Sequence, residues 1–356
     1  MLIYMFIIAG MILLGIVLKP NNNFKNRKIY IFIVFGVLII IAAIRNYTIG
    51  TDTEQYTSSY RVIKYIDFAK HNTIRFEVGF FTMCKILNYI NENPQILLII
   101  TSFIIFGAMG FFVYENSDDV IMSSILFVTL NYYGLFLSAM RQALAIGIIA
   151  FSLRYLYEKK YIKYILGIFV ASLFHQTAII MVVLIFFRNI KFFKKYLYID
   201  ILIAIVAFMF ANKLFGVIVK FFTVYESYSK SGFFESNYFA ALLNSVVSFV
   251  ILITGIFCYE LSNGEKYKKY DFNAFIMSIS FILYVVTMKI NIFSRATMYF
   301  SIFTIVWLPN SINSIDNAKQ RMVLKYCVLI FSMLYWIVIA KYRPEWHSVV
   351  PYQTFF

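Results

Sequence analysis

Ten nearly continuous apolar runs divide this chain: 2–18, 29–44, 95–114, 120–136, 139–157, 196–212, 238–260, 271–289, 296–313 and 322–340. An α-helix crosses the hydrocarbon layer of a bilayer with roughly 20 residues. Runs of that length, repeated along one chain, need either a very large soluble core or a lipid solvent. Composition removes the first option. The chain is 62% hydrophobic and 14% charged, whereas soluble domains are about 45–50% apolar and about 25% charged. The expected fold is an all-α, polytopic transmembrane helix bundle, a single membrane domain over 1–356. No cleavage pattern follows the first run, so it reads as a retained helix rather than a signal peptide.

Net charge is +15. On a soluble protein this would suggest nucleic acid. Here the basic residues sit in short stretches between apolar runs and read as topology, because basic loops stay cytoplasmic. Lys19, Lys25, Arg27 and Lys28 place the first loop inside. Arg154, Lys159, Lys160 and Lys163 follow, then Lys266, Lys268 and Lys269, then Lys319, Arg321 and Lys325. The stretches 45–94 and 213–237 become the two largest extracytoplasmic loops, and the tail 341–356 ends outside. The short loop 115–119 is acidic and gives the rule no support.

The apolar stretch 162–187 has basic flanks on both sides, with Arg188, Lys191, Lys194 and Lys195 after it. One crossing would carry four of these charges outside. A helical hairpin keeps both ends inside, with its turn in the polar patch SLFHQT at 172–177. Each arm is then about 13 residues, roughly 20 Å. His175 falls near the tip. With these two arms the bundle holds about 12 helices.

This topology brings ionisable residues from distant segments to the outer side: Arg45, Asp52, Arg75, Glu77, Arg141, His175 and Arg295. Each also has a plainer reading. Arg45 and Arg295 can be snorkelling anchors, His175 a packing histidine, Asp52 a helix N-cap, and Glu77 a partner for Arg75. Arg141 resists such a reading because Met140 and Ala143 surround it with apolar neighbours. No GxxxxGK[ST] or HExxH motif occurs, Asp52 and Glu54 are a weak metal pair, and Cys84, Cys258 and Cys327 form no motif. No cofactor or metal is expected. Guanidinium groups grip diphosphates bidentately, and a carboxylate or histidine can take a proton from a sugar hydroxyl. Lipid-diphosphate-linked sugars are therefore the expected substrate class.

Six motifs carry a resemblance, in order along the chain: IRNYTIGTDTEQY at 44–56, FEVGF at 76–80, RQALAIGI at 141–148, VASLFHQTAII at 170–180, FSRATMYF at 293–300 with Pro309, and VVPYQTFF at 349–356. The chain resembles the EpsG-like, Wzy-type bacterial polysaccharide polymerases. The resemblance implies a glycosyltransferase of the cytoplasmic membrane whose active site faces outside. It would join undecaprenyl-diphosphate-linked oligosaccharide repeat units into exopolysaccharide, capsule or O-antigen, releasing undecaprenyl diphosphate. On this reading Arg45, Arg141 and Arg295 bind diphosphates. Asp52, Glu77 or His175 is the general base. Tyr56, Gln142 and Tyr352 orient sugars or diphosphate. Membrane lipid, a chain-length regulator and a flippase are the implied partners, and nucleic acid is not. An O-antigen ligase-like transferase would carry a large outer loop late in the chain, whereas here it comes early. A lipid-linked oligosaccharide flippase or other transporter would spread polar residues to both faces.

Overall fold

The computed structural model describes residues 1–74, 76–192, 195–221, 238–262 and 269–356. Arg75, Lys194, Lys266, Lys268 and the larger part of the 213–237 loop lie outside the described residues. The described chain is helical without named strands. It divides into two compact units, residues 1–182 with 322–356, and residues 183–321.

In the first unit the helices are α1 (Leu2–Leu18), α2 (Phe24–Ala43), α3 (Thr53–Val62), α4 (Val78–Ile90), α5 (Gln95–Asn116), α6 (Val120–Thr129), α7 (Tyr132–Ser138), α8 (Met140–Tyr157) and α9 (Tyr161–Ser172). The second unit holds α10 (Leu184–Phe187), α11 (Tyr196–Phe221), α12 (Tyr238–Leu261), α13 (Tyr270–Thr287), α14 (Phe293–Ser301) and α15 (Thr304–Asn313). The last helix, α16 (Ala318–Tyr342), returns the chain to the first unit.

Among the described residues six helices are long and apolar enough to cross a membrane: α2, α5, α11, α12, α13 and α16. The pair α6 and α7, bent by 55°, makes a seventh if counted as one span. Mid-helix side chains such as Phe32 on α2 and Phe103 on α5 stand 81% and 66% exposed. Water would penalise such surfaces and lipid does not. This is a polytopic membrane helix bundle.

All ten expected runs are helical, and two are interrupted. The run 120–136 breaks at Asn131, whose φ of 69° ends α6 and starts α7 at a new angle. Asparagine is among the few residues that tolerate this left-handed backbone. The run 296–313 is interrupted at Ile302–Phe303.

The stretch 162–187 folds back as its flanking charges require. α9 stops at Ser172, and a 3-10 helix, Gln176–Val183, leads into α10. The Tyr164 hydroxyl donates to the Met181 carbonyl at 2.9 Å. A continuous helix would hold residues 17 apart at about 25 Å, so the arms lie side by side.

Polar contacts sort the first unit by end. At one end Arg27 donates to the carbonyls of Tyr114 and Ser117, Asn21 donates to Asp119, and Lys325 pairs with Asp119. The acidic 115–119 loop thus meets basic residues from α2 and α16, which neutralise it. At the other end Gln95 Nε2 donates to the Ala43 carbonyl at 2.5 Å, and the C-terminal tail packs against residues 44–51. In the first unit the 19–28 and 115–119 stretches, read from charge as inside and as unassigned, meet at one end, and the 44–51 stretch and the tail, read as outside, meet at the other.

The second unit is built around α13, which packs against α11, α12 and α14. Ala211, Val286 and Ile290 form a small core there. Ser278 donates to the buried carboxylate of Asp200 at 2.7 Å, and Trp307 Nε1 to the Ile251 carbonyl at 3.0 Å.

Candidate functional site

Glu77 occupies the N-cap position of α4, yet its carboxylate caps nothing. Both oxygens are used elsewhere. Oε2 accepts from Arg141 Nη1 at 2.5 Å, and Oε1 meets His175 Nδ1 at 3.1 Å. The Gln176 backbone N–H also approaches Oε1, at 3.5 Å. Three segments far apart in sequence therefore meet on one carboxylate: the start of α4, the start of α8 and the tip of the hairpin.

Local rules make this arrangement unusual. Glutamate is a poor N-cap. Arginine in a first helical turn opposes the positive end of the helix dipole, and α8 has no acidic residue in its own first turn. Each departure is answered by the other residue. The guanidinium also lies over the rings of Tyr56 at 5.7 Å and Phe76 at 5.5 Å. Tyr56 packs in turn against Phe76 and Phe80. Side-chain exposure is 20% for Arg141, 12% for Glu77 and 15% for His175, so the cluster is largely desolvated. Burial alone would raise the Glu77 carboxyl. The hydrogen bond with His175 and the Arg141 charge outweigh it and hold Glu77 below the usual carboxylate range.

Gly79 explains the E-x-G spacing. Its N–H donates to the Leu173 carbonyl at 2.8 Å. A Cβ there would lie 2.8 Å from the same oxygen. A side chain at 79 would push the hairpin tip away from Glu77.

The GTDT turn is sewn to the start of α8. Gly50 has a φ of 95°, and a Cβ on it would fall 2.8 Å from the Leu137 carbonyl. The Thr53 hydroxyl donates to Ile49 O at 2.7 Å and Leu137 O at 3.3 Å. The Thr51 N–H donates to the Ser138 hydroxyl at 3.2 Å, three residues before Arg141. Asp52 sits half-buried at the N-cap position of α3 without a side-chain capping bond, and the Thr51 hydroxyl meets its carboxylate at 3.3 Å. It lies one helical turn before Tyr56. Gln142 is 1% exposed beside Arg141.

Arg45 departs from its expected setting. It is 1% exposed, and its Nη1 donates to Ala42 O at 2.5 Å and Ser102 Oγ at 3.1 Å. Tyr352, expected to orient sugars or diphosphate, donates to Ile41 O at 2.5 Å and packs edge-on against Tyr4. Both belong to a clasp between the tail and the 44–51 loop. Arg45 pairs with Thr354 as an isolated antiparallel bridge, Asn46 N–H donates to Gln353 O at 2.9 Å, and Gly50 N–H to Ser348 O at 3.0 Å. Sequence reasoning missed this clasp, along with Tyr4, Ser138 and Phe76. Tyr4 left a signal as the sole polar group in an apolar run, and Phe76 as the first residue of FEVGF. Arg295 stands half-buried in the first turn of α14 in the second unit. Among the described residues no three His, Cys, Asp or Glu side chains group as metal ligands.

The elements so joined run from the GTDT turn to the C-terminal tail, and the EpsG family model matches that whole extent, residues 28–354. The chain belongs to the EpsG family. Membership carries a polysaccharide-polymerase function in general terms, a glycosyltransferase-type activity. No curated protein and no solved structure matches the chain. In this EpsG-family protein the motif residues Glu77, Gly79, Arg141 and His175 share one contact network, while Arg45 and Tyr352 share another.

Proposed function

We propose that this chain joins undecaprenyl-diphosphate-linked oligosaccharide repeat units at the outer face of the bacterial cytoplasmic membrane. The observation that carries this reading is the Glu77–Arg141–His175 cluster at the end of the first unit assigned outside by loop charge. A hydroxyl oxygen of the acceptor sugar attacks the anomeric carbon of the donor chain. The bond from that carbon to the diphosphate breaks, and its electron pair leaves with undecaprenyl diphosphate. The hydroxyl proton passes to His175 Nε2. Glu77, held ionised, accepts a hydrogen bond from the Nδ1–H of His175, which keeps its proton, and so fixes the tautomer with a basic Nε2.

Arg141 stabilises the charge that develops on the departing diphosphate. Arg295, in the second unit, keeps the diphosphate-binding role that its motif implies. Asp52, Tyr56 and Gln142 position the acceptor sugar beside the departing diphosphate. Arg45 and Tyr352 act from behind, by holding the 44–51 loop. Membrane lipid surrounds the site, and a flippase supplying repeat units and a chain-length regulator are the fitting protein partners. The test is polymerisation of purified lipid-linked repeat units by the purified protein. Chain growth should collapse in Arg141→Ala and Arg295→Ala. If both grew chains at near-normal rates, the diphosphate assignment would be wrong. If His175→Ala stayed active while Asp52→Asn and Glu77→Gln were dead, the base would be a carboxylate.

A further inference from the structure

The helix that carries Tyr56 into the site has a second face, which the reaction above does not use. α3 reads TEQYTSSYRV, too polar to lie in hydrocarbon, and Tyr56 and Tyr60 are its buried rings. The Tyr60 hydroxyl donates to Asn91 O at 2.8 Å and docks α3 on the end of α4. Across the outside of this junction runs a connected strip. Arg61 lies over the Tyr47 ring at 5.6 Å, and the Tyr47 hydroxyl donates to Asn93 Oδ1 at 3.2 Å. Lys64 lies over the Tyr65 ring at 5.1 Å and pairs with Glu92. Tyr65 is 77% exposed and the Glu92 side chain 70% exposed. Arg61 is five residues beyond Tyr56, about 8 Å along the helix.

We infer that this strip binds the growing glycan, as a track leading away from the reaction site. The inference rests on the polymerase reading for its ligand class. Aromatic faces flanked by both donors and acceptors match the surface of a sugar chain. The C–H faces of pyranose rings pack on Tyr47 and Tyr65, and hydroxyls exchange hydrogen bonds with Arg61, Lys64, Glu92 and Asn93. An aromatic belt at a lipid interface also uses exposed tyrosines. It has no use for an exposed lysine–glutamate pair such as Lys64 and Glu92 beside the Tyr65 ring, and α3 does not have the sequence of a helix that lies in lipid.

The test uses the full-length protein in detergent and a defined probe. The probe is an oligosaccharide of several repeat units released by mild acid from the polysaccharide of the strain that carries the gene. Wild-type protein should bind it. Tyr65→Ala and Tyr47→Ala should each weaken binding by roughly 2- to 10-fold, and the double variant by more than either. Tyr65→Phe, which keeps the ring face, should bind like wild type. Glu92→Gln and Arg61→Gln alter exposed side chains and serve if a tyrosine variant fails to fold. They should weaken binding less than loss of a ring. Unchanged affinity in Tyr47→Ala/Tyr65→Ala with Glu92→Gln and Arg61→Gln would overturn the track. So would variants that lose membrane insertion while binding the probe normally. Wild-type protein that polymerises yet does not bind the probe removes the track and leaves the polymerase. Protein that binds the probe but does not polymerise keeps the track and removes the proposed reaction.

Discussion

Arg45 and Arg141 stand at the same end of the first unit, and both come from motifs that sequence alone assigns to diphosphate binding. Their surroundings differ in kind. Arg45 is buried against a backbone carbonyl, a serine hydroxyl and the tail that bridges to it, with no carboxylate bonded to it. Arg141 faces a glutamate that in turn holds a histidine, and its side chain keeps 20% exposure. A guanidinium bonded to carbonyls stiffens a fold. One paired with an ionised acid beside a titratable group can exchange partners when an anion arrives. The identity of the partner thus gives the two arginines different expected uses, framing for Arg45 and anion binding for Arg141.

The largest effect tests the chemical side of this contrast. His175→Ala should slow chain growth by about 10²- to 10⁴-fold, the usual contribution of a general base. Thermal stability in detergent should change little beside that. The rate is measured on purified lipid-linked repeat units. A variant within a few-fold of wild type would remove His175 from the chemistry and leave it as a pin for the hairpin tip. Arg141→Ala comes next, with an expected loss of about 10²- to 10³-fold in the same assay. Arg141→Lys should recover little of it, because an ammonium lacks the planar fork that holds Glu77 and a diphosphate together.

The framing side predicts the opposite balance. Arg45→Ala leaves the Ala42 carbonyl and Ser102 hydroxyl without this donor and opens a cavity between α2 and α5. It should lower stability by about 2–4 kcal/mol. Activity should fall mainly through the folded fraction. Removing residues 348–356 should act in the same direction, since Gly50, Asn46 and Tyr4 all bond to that tail. Unfolding followed by intrinsic fluorescence, with activity normalised to folded protein, separates the two arginines. If Arg45→Ala stayed as stable as wild type but lost chain growth, the contrast between them would fail.

Much of this was legible in the sequence, for physical reasons. Apolar runs must become helices in lipid, and loop charge sorts their ends, so the helices and the fold-back at 162–187 follow from one dimension of information. The meeting of Glu77, Arg141 and His175 was legible only as a shared depth. Depth says nothing about which residues on that plane touch. Glu77 had a nearer partner in Arg75 by sequence, and only the close packing of Gly79 on Leu173 shows why the hairpin tip reaches it. The clasp around Arg45 was illegible because its partners are mostly backbone carbonyls, which every residue has. Breaks at Asn131 and Ile302 were hidden inside runs whose apolarity reads the same whether the helix is straight or bent.

The smallest expected effect sharpens the comparison through pH. Burial works to raise the Glu77 carboxyl, and His175 with Arg141 lowers it further than burial raises it. A carboxyl whose value is lower in the folded protein than in the unfolded chain stabilises the fold above the unfolded value. That contribution fades as pH falls through the folded one. Wild-type protein should therefore lose stability on acidification, and Glu77→Gln should lose less over the same interval. Arg45 has no acid among its hydrogen-bond partners, so Arg45→Ala should lower stability by a similar amount at every pH in that range. Melting temperatures in one detergent, taken between about pH 3 and pH 7, give the comparison. Parallel curves for wild type and Glu77→Gln would mean that Glu77 is not held ionised. The difference between a charge that works against an acid and a charge that works against the backbone would then have to rest on activity alone.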